Sequence, residues 1–223
     1  MKHWTRAALA KVIDHTLLKA IATERDIAEH CAEARQFGFY GICVNPYRIP
    51  LCVRELSGSG ISVCAVVGFP LGAYCPETKI AEARLAVLQG AGEIDMVMNV
   101  GAAKSADWKA VEEDIRGVVA ASGNAVVKVI LETCYLNETE KARACEAAIK
   151  AGAGFVQTST GFGTGGATVE DVQVLKKVIG ARDLRVKASG GIRTCHDALQ
   201  FLEAGADRIG ASSGVAIVSE LSE

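Results

Sequence analysis

The sequence predicts an α/β fold in which eight parallel strands alternate with helices and close into a (β/α)8 barrel, one domain over residues 1–223. Eight short β-branched runs recur along the chain, and most are followed by a longer stretch of helical period. A junction motif marks where a helix feeds a strand: Gly90-Ala91-Gly92-Glu93-Ile94, Gly152-Ala153-Gly154-Phe155-Val156 and Gly205-Ala206-Asp207-Arg208-Ile209. Alternation of the two element types makes the sheet parallel and covers both its faces. Eight units in 223 residues fit the usual length of a closed barrel. An open doubly wound sheet is the alternative, since periodicity does not report closure. The chain lacks the Gly-x-Gly-x-x-Gly turn that such a sheet uses to bind dinucleotides after its first strand. No Pro/Ser-rich linker or charge run divides it.

In order, the strands are read at "IDHT" (13–16), "GICV" (41–44), "SVCAVVG" (62–68), "EIDMVMN" (93–99), "AVVKVILE" (125–132), "FVQTST" (155–160), "RVKASGG" (185–191) and "RIGASS" (208–213). Between them, "ERDIAEHCAEARQFG", "ETKIAEARLAVLQG", "ADWKAVEEDIRGVVAA", "ETEKARACEAAIKAG" and "HDALQFLEAG" place apolar residues at i, i+3, i+4 and i+7 with charges between. That pattern gives a helix one buried face. Thr23, Asn137, Thr168 and Thr194 are candidate N-caps, and several helices run into Gly.

Composition narrows the function. Half the residues are hydrophobic, 22% are charged, and the formal net charge is −2, so no basic footprint for nucleic acid or an anionic membrane is present. A small molecule is the expected partner. "MKHWTRAALAKVIDHTLL" interrupts any leader-like apolar stretch with charges, and no run reaches the length of a membrane span; the expected location is cytoplasmic. The eight cysteines form no Cys-x-x-Cys pair, so reduced, mostly buried thiols are expected. Only Cys43 is placed for reactivity. His3, His15, His30 and His196 are expected to form no cluster, and no metal site is predicted.

Four polar residues sit inside the strand runs. Strand alternation puts Asp95 on one face with Val97 and Asn99, Lys128 with Val126 and Ile130, Gln157 with Phe155 and Ser159, and Lys187 with Arg185 and Ser189. An unpaired lysine in a dry helix layer costs several kcal/mol, so this face is expected to line the barrel interior. Barrel enzymes place their chemistry where the strands lead into helices. Two lysines and an acid there suit proton transfer and carbonyl chemistry, and two neighbouring cations are expected to lower an amine's pKa. A purely structural ion network is the alternative. The loops "STGFGTGG", "SGGIR" and "GASSG" offer glycine backbone N–H groups and hydroxyls at the usual phosphate position of a barrel, although each alone would also suit a tight turn.

"IDHTLL", "GICVNP", "EIDMVMNVG", "VVKVILET", "FVQTSTGF", "VKASGGIRT" and "RIGASSG", in this order and over nearly the whole chain, resemble the 2-deoxyribose-5-phosphate aldolase family. The resemblance implies a class I aldolase on a (β/α)8 barrel, joining acetaldehyde to glyceraldehyde 3-phosphate through a lysine imine, with no metal or organic cofactor. It implies small phosphosugar and aldehyde partners. It makes Asp95 and Lys187 a proton donor and acceptor pair and Lys128 a further interior lysine near the substrate. Thr160, Gly161, Gly190, Gly191, Ser212 and Ser213 become phosphate contacts, and Asp14, Thr16 and Cys43 mouth residues. The family's "KTSTGF" reads "QTSTGF" here, so Gln157 stands where the imine-forming lysine is expected. "GAYCPETK", with Tyr74 and Cys75, also departs from the smaller, more polar residues expected, which bears on substrate preference.

Three functions follow. The chain is an aldolase whose covalent step is greatly weakened by Gln157; or Lys187 or Lys128 supplies the amine for a shifted carbonyl chemistry; or the protein is a non-catalytic phosphosugar-binding homologue. The outward helix faces show no decisive apolar stripe, leaving a homo-oligomer open.

Overall fold

The computed structural model describes residues 4–221. Its strands are β1 Ile13–Leu17, β2 Gly41–Val44, β3 Ser62–Val67, β4 Glu93–Val97, β5 Val126–Ile130, β6 Phe155–Gln157, β7 Arg185–Ser189 and β8 Arg208–Ala211. Neighbours pair in parallel in sequence order, and β8 returns to β1, so the barrel is closed. The open-sheet alternative is excluded. The helices are α1 Arg6–Ala10, α2 Glu24–Phe37, α3 Ile49–Glu55, α4 Pro76–Leu88, α5 Val100–Lys104, α6 Trp108–Ala121, α7 Glu138–Ala151, α8 Val169–Ile179, α9 Cys195–Glu203 and α10 Gly214–Ser219.

All four predicted caps form. Thr23, Asn137, Thr168 and Thr194 accept the backbone N–H of Asp26, Glu140, Asp171 and Asp197, each satisfying a donor that the first helical turn leaves unpaired. Several strands end earlier than their apolar runs suggest. Asn99 leaves the predicted fourth strand to cap α5 through its side chain, and Glu132, at φ 54°, turns the chain away after β5.

Register explains how the sheet sorts its residues. Asp95 pairs with Lys128, Lys128 with Phe155, Gln157 with Lys187, Lys187 with Arg208 and Asp14 with Gly210, so these positions share the inward face. The alternate residues, including Ile42, Val63, Ile94, Met96, Val129, Val156, Val186 and Ile209, belong to one buried apolar core that includes residues of the surrounding helices. Apolar burial therefore works mainly outside the sheet, and the interior is free to carry charge. Two glycines make room for it. A Cβ at Gly210 would lie 2.8 Å from Lys187 Cε, and one at Gly41 would lie 3.0 Å from Ser62 O and 3.4 Å from Asp14 Oδ1.

The expectation that the histidines stay apart is corrected for His15 and His30. His15 points outward from β1 onto the buried face of α2, where its ring stacks on His30 with centroids 3.9 Å apart. His15 Nε2 lies 2.8 Å from Glu33 Oε2, and His30 Nε2 donates to the His15 carbonyl at 3.0 Å. Burial pushes both imidazoles down to about 4. His3 lies outside the described residues. All eight cysteines are free thiols, six of them buried and Cys75 and Cys134 exposed.

Candidate active site

Three cations and three carboxylates fill the middle of the barrel. Lys187 Nζ lies 2.7 Å from Asp14 Oδ2 and 2.6 Å from Asp95 Oδ2. Lys128 Nζ lies 2.7 Å from Asp95 Oδ1 and 2.6 Å from Glu93 Oε2. Arg208 Nη1 lies 2.7 Å from Asp14 Oδ1 and 3.4 Å from Glu93 Oε2. All six are buried, and their formal charges cancel. Burying an ion costs several kcal/mol unless partners and hydrogen bonds offset it.

This mutual pairing corrects the expected lysine chemistry. Burial alone would lower both amines, but Asp95 and the other carboxylates outweigh it at Lys128, and Asp14 and Asp95 do so at Lys187; both lysines are held above the ordinary lysine value. Burial would likewise raise Asp14 and Asp95, yet the facing lysines keep both below the usual carboxylate range. At neutral pH the site therefore contains ammonium groups and carboxylates. Such lysines donate hydrogen bonds; they are not free nucleophiles.

Above this layer, at the C-terminal ends of the strands, opens a cavity of about 300 Å³. Asp95, Gln157 and Lys187 form part of its lining together with Thr16 and Cys43, whereas Lys128 does not line it. Asp14, expected at the mouth, is fully buried in the ion network because it lies two residues before Thr16, one inward step deeper in β1. Cys43 Sγ lies 3.7 Å from Asp95 Oδ2.

Gln157 occupies the wall between β5 and β7. Its Nε2 donates to Ser189 Oγ at 2.9 Å, and Ser189 Oγ donates to the Ser159 carbonyl at 2.6 Å. Its Oε1 is buried without a hydrogen-bond partner. A buried acceptor of this kind invites a donor from a ligand.

The candidate phosphate loops converge on one side of the cavity. Gly161, Gly190 and Gly191 line it with φ of 83°, 90° and 83°, conformations that favour glycine. The two loops are also packed tightly, for a Cβ on Gly166 would lie 2.3 Å from the Gly190 carbonyl oxygen. Ser212 lines the cavity, but Ser213 faces a neighbouring groove beside His15, His30 and Glu33. Thr160 lines the cavity, although its hydroxyl donates to Glu132 and its backbone N–H reaches Glu132 Oε1 at 3.1 Å. Tyr74 and Cys75 are exposed and do not line the cavity.

Several residues of this arrangement escape sequence reasoning. Glu93 and Arg208 could have been found by the same two-residue alternation that singled out Asp95 and Lys187. Arg193 sits within the "SGGIR" loop, and Lys19 lies just beyond β1; both line the cavity mouth as exposed cations. Glu132 continues the alternation of Lys128 and Ile130, but the strand ends at Ile130 and Glu132 sits at φ 54°, so the alternation does not place it.

A barrel whose strand ends surround a small-molecule cavity floored by paired lysines and carboxylates belongs to the enzyme class that works at the C-terminal mouth of this fold. Residues 8–220 match the DeoC/LacD family aldolase model, and the chain belongs to that family. It is 57% identical over 215 residues to the deoxyribose-phosphate aldolase of Aciduliprofundum boonei, covering 96% of each chain. The enzyme of the same name from Listeria innocua is 55% identical over 212 residues, 95% of each chain. The deoxyribose phosphate aldolase of Aeropyrum pernix, described as a tetramer, superposes with a TM-score of 0.91 at 35% identity, covering 97% of this chain and 92% of that one. The resemblance read from the motifs thus holds at the level of the family. No helix among the described residues is long and apolar enough to cross a membrane.

Proposed function

We propose that this chain binds 2-deoxyribose 5-phosphate in the barrel mouth as a deoxyribose-phosphate aldolase does, and that Gln157 occupies the position of the imine-forming lysine. Reversible cleavage to glyceraldehyde 3-phosphate and acetaldehyde is then greatly weakened. The observation that carries this reading is the place of Gln157: a primary amide in the cavity wall, beside lysines that are both neutralised by carboxylates. An amide nitrogen is not a nucleophile toward a carbonyl, and an ammonium must lose a proton before it becomes one.

The residues suit the proton movements of aldol cleavage. Breaking the C2–C3 bond of the open-chain sugar requires loss of the C3 hydroxyl proton and stabilisation of the electrons arriving at C1 and C2. Lys187 supplies a proton toward the carbonyl oxygen or C2, with Asp95 orienting it and accepting in return. Lys128 balances the second oxygen of Asp95 from below. The glycine N–H groups of the loops after β6 and β7, Ser212, and the cations Lys19 and Arg193 suit a phosphate at the mouth. Gln157 Oε1 accepts a hydrogen bond from a sugar hydroxyl.

Reduction with borohydride in the presence of acetaldehyde, followed by mass spectrometry, tests the assignment. The chain as it stands should gain no ethyl group, and Gln157→Lys should gain one at residue 157 while cleavage rises by several orders of magnitude. An adduct on Lys187 or Lys128 in the unaltered chain would transfer the covalent role to that lysine. Calorimetry with deoxyribose 5-phosphate should show saturable binding in both proteins; its absence would remove the phosphosugar assignment.

A further inference from the structure

Two cysteines face each other inside the mouth of the barrel. Cys43 on β2 and Cys64 on β3 are register partners on the inward face. With Val66, Leu18 and Phe69 they form a small apolar cluster separate from the main core. Their sulfurs and an Asp95 carboxylate oxygen all lie within 4.8 Å of one another. Partner residues on neighbouring strands hold their Cα atoms roughly 4.8 Å apart, inside the span of about 4.4 to 6.8 Å that a disulfide accepts.

Access to the two sulfurs is unequal. Cys43 lines the cavity, whereas Cys64 is fully buried behind it with Lys128 Nζ 3.4 Å from its sulfur. The arrangement pairs a thiol that a small solute can reach with a second one sealed beside it. Cys31 also lies near enough to Cys52 to push its thiol up, but both are buried and neither lines this cavity. Proximity alone therefore does not distinguish the first pair; proximity together with an entry path does.

We propose that Cys43 and Cys64 are an oxidative modification site, at which a peroxide small enough to enter the cavity closes a disulfide between β2 and β3. The Cys43 sulfur attacks one peroxide oxygen, the O–O bond breaks, and a sulfenic acid forms while the other oxygen leaves and takes a proton as water. The Cys64 sulfur then attacks the Cys43 sulfur, the S–O bond breaks, and the departing hydroxide takes the Cys64 thiol proton as a second water. Two thiols are oxidised and one peroxide is reduced. Burial and Asp95 hold the Cys64 thiol well above its ordinary value, and the Lys128 ammonium, 3.4 Å from the sulfur, works against them as Cys64 gives up its proton and attacks. Closure withdraws the Cys43 thiol from Asp95 Oδ2. Side chains of a parallel pair stand side by side instead of converging, so the bond forms under strain, and strained disulfides are readily opened by thiol reductants.

The test treats the folded chain with hydrogen peroxide, blocks the remaining thiols with an alkylating agent under denaturing conditions, and maps linked peptides by mass spectrometry. The expected result is a Cys43–Cys64 linkage, loss of those two free thiols, and their return with dithiothreitol. In Cys64→Ser, Cys43 should instead be trapped by dimedone as a sulfenic acid. In Cys43→Ser, Cys64 should stay reduced. A Cys43 oxidised while Cys64 remains free to alkylate would overturn the proposal. So would two intact thiols under conditions that oxidise the exposed Cys75 and Cys134. None of these readouts depends on aldol activity or sugar binding.

Discussion

Replacing Gly210 with Ala is expected to disturb the charged interior more than any comparable one-methyl change in the sheet. The new Cβ would lie 2.8 Å from Lys187 Cε, 3.0 Å from Ser189 Cβ and 3.6 Å from Lys187 Nζ. A flexible lysine end usually moves aside at little cost. Here it cannot move freely, because Nζ is held at 2.7 Å by Asp14 and at 2.6 Å by Asp95. The substitution reduces unfolded-chain entropy, which stabilises by roughly 0.4–1 kcal/mol, against an overpacking cost of about 1–3 kcal/mol. Loosening two buried ion pairs adds to that cost. A net loss of about 1–3 kcal/mol is expected, with weakened binding of any ligand that depends on Lys187. Gly92→Ala is the matched control, since its nearest contact would be Ser62 Oγ at 3.4 Å, an ordinary approach. Urea unfolding at neutral pH measures both. Equal stability of Gly210→Ala and the parent chain would refute the claim that Lys187 is fixed in place by its carboxylates.

Asp14→Asn leaves three interior cations against two carboxylates, and breaking a buried pair typically costs about 3–5 kcal/mol. Because Asp14 is held below its unfolded value, its contribution is present above roughly pH 3.9 and is lost as pH falls. The difference between parent and variant in urea unfolding should therefore shrink toward pH 3; a gap that widens there would contradict the assignment. His30 is buried neutral, with its value pushed from 6.5 down to about 4. Between those values the unfolded chain binds the proton and the folded chain does not, so folding loses up to about 3 kcal/mol as pH falls through that window. His15 is pushed down over the same window, so His30→Gln should remove about half of the loss between pH 6.5 and 4, and an unchanged slope would show that His30 does not contribute.

The positions of the interior polar residues were legible because a strand sorts its side chains with period two. That rule placed Asp95, Lys128, Gln157 and Lys187 on the inward face, and the register agrees at every one. The same rule reaches Glu93 two residues before Asp95, yet a charge at the start of a strand looks like a solvated end until closure of the barrel buries it. Missing Glu93, and placing Asp14 at the mouth, left one carboxylate to balance two lysines and reversed the expected direction of the lysine shifts. For Thr160, which lines the cavity, the bond to Glu132 was hidden for a different reason. Its partner Glu132 comes from the preceding β-to-α loop, and no local spacing connects two consecutive loops of a barrel.

The layering separates stability from chemistry at residue 157. Apolar burial lies between the sheet and the helices, and Gln157, although the register partner of Lys187, stands outside the ion network; among the described residues its side chain hydrogen-bonds to Ser189. No carboxylate of the network needs residue 157 for neutrality, and no outward residue packs on it through the sheet. A change between amide and amine there leaves both stabilising layers intact. The same separation limits what such a change restores, because a new amine at 157 would be close to Lys187 on the paired strand, and Lys187 is already neutralised by Asp14 and Asp95. Its readiness to react would then rest on desolvation by the cavity wall and on the residual field of a network with no net charge. Repulsion from a bare neighbouring ammonium would contribute little.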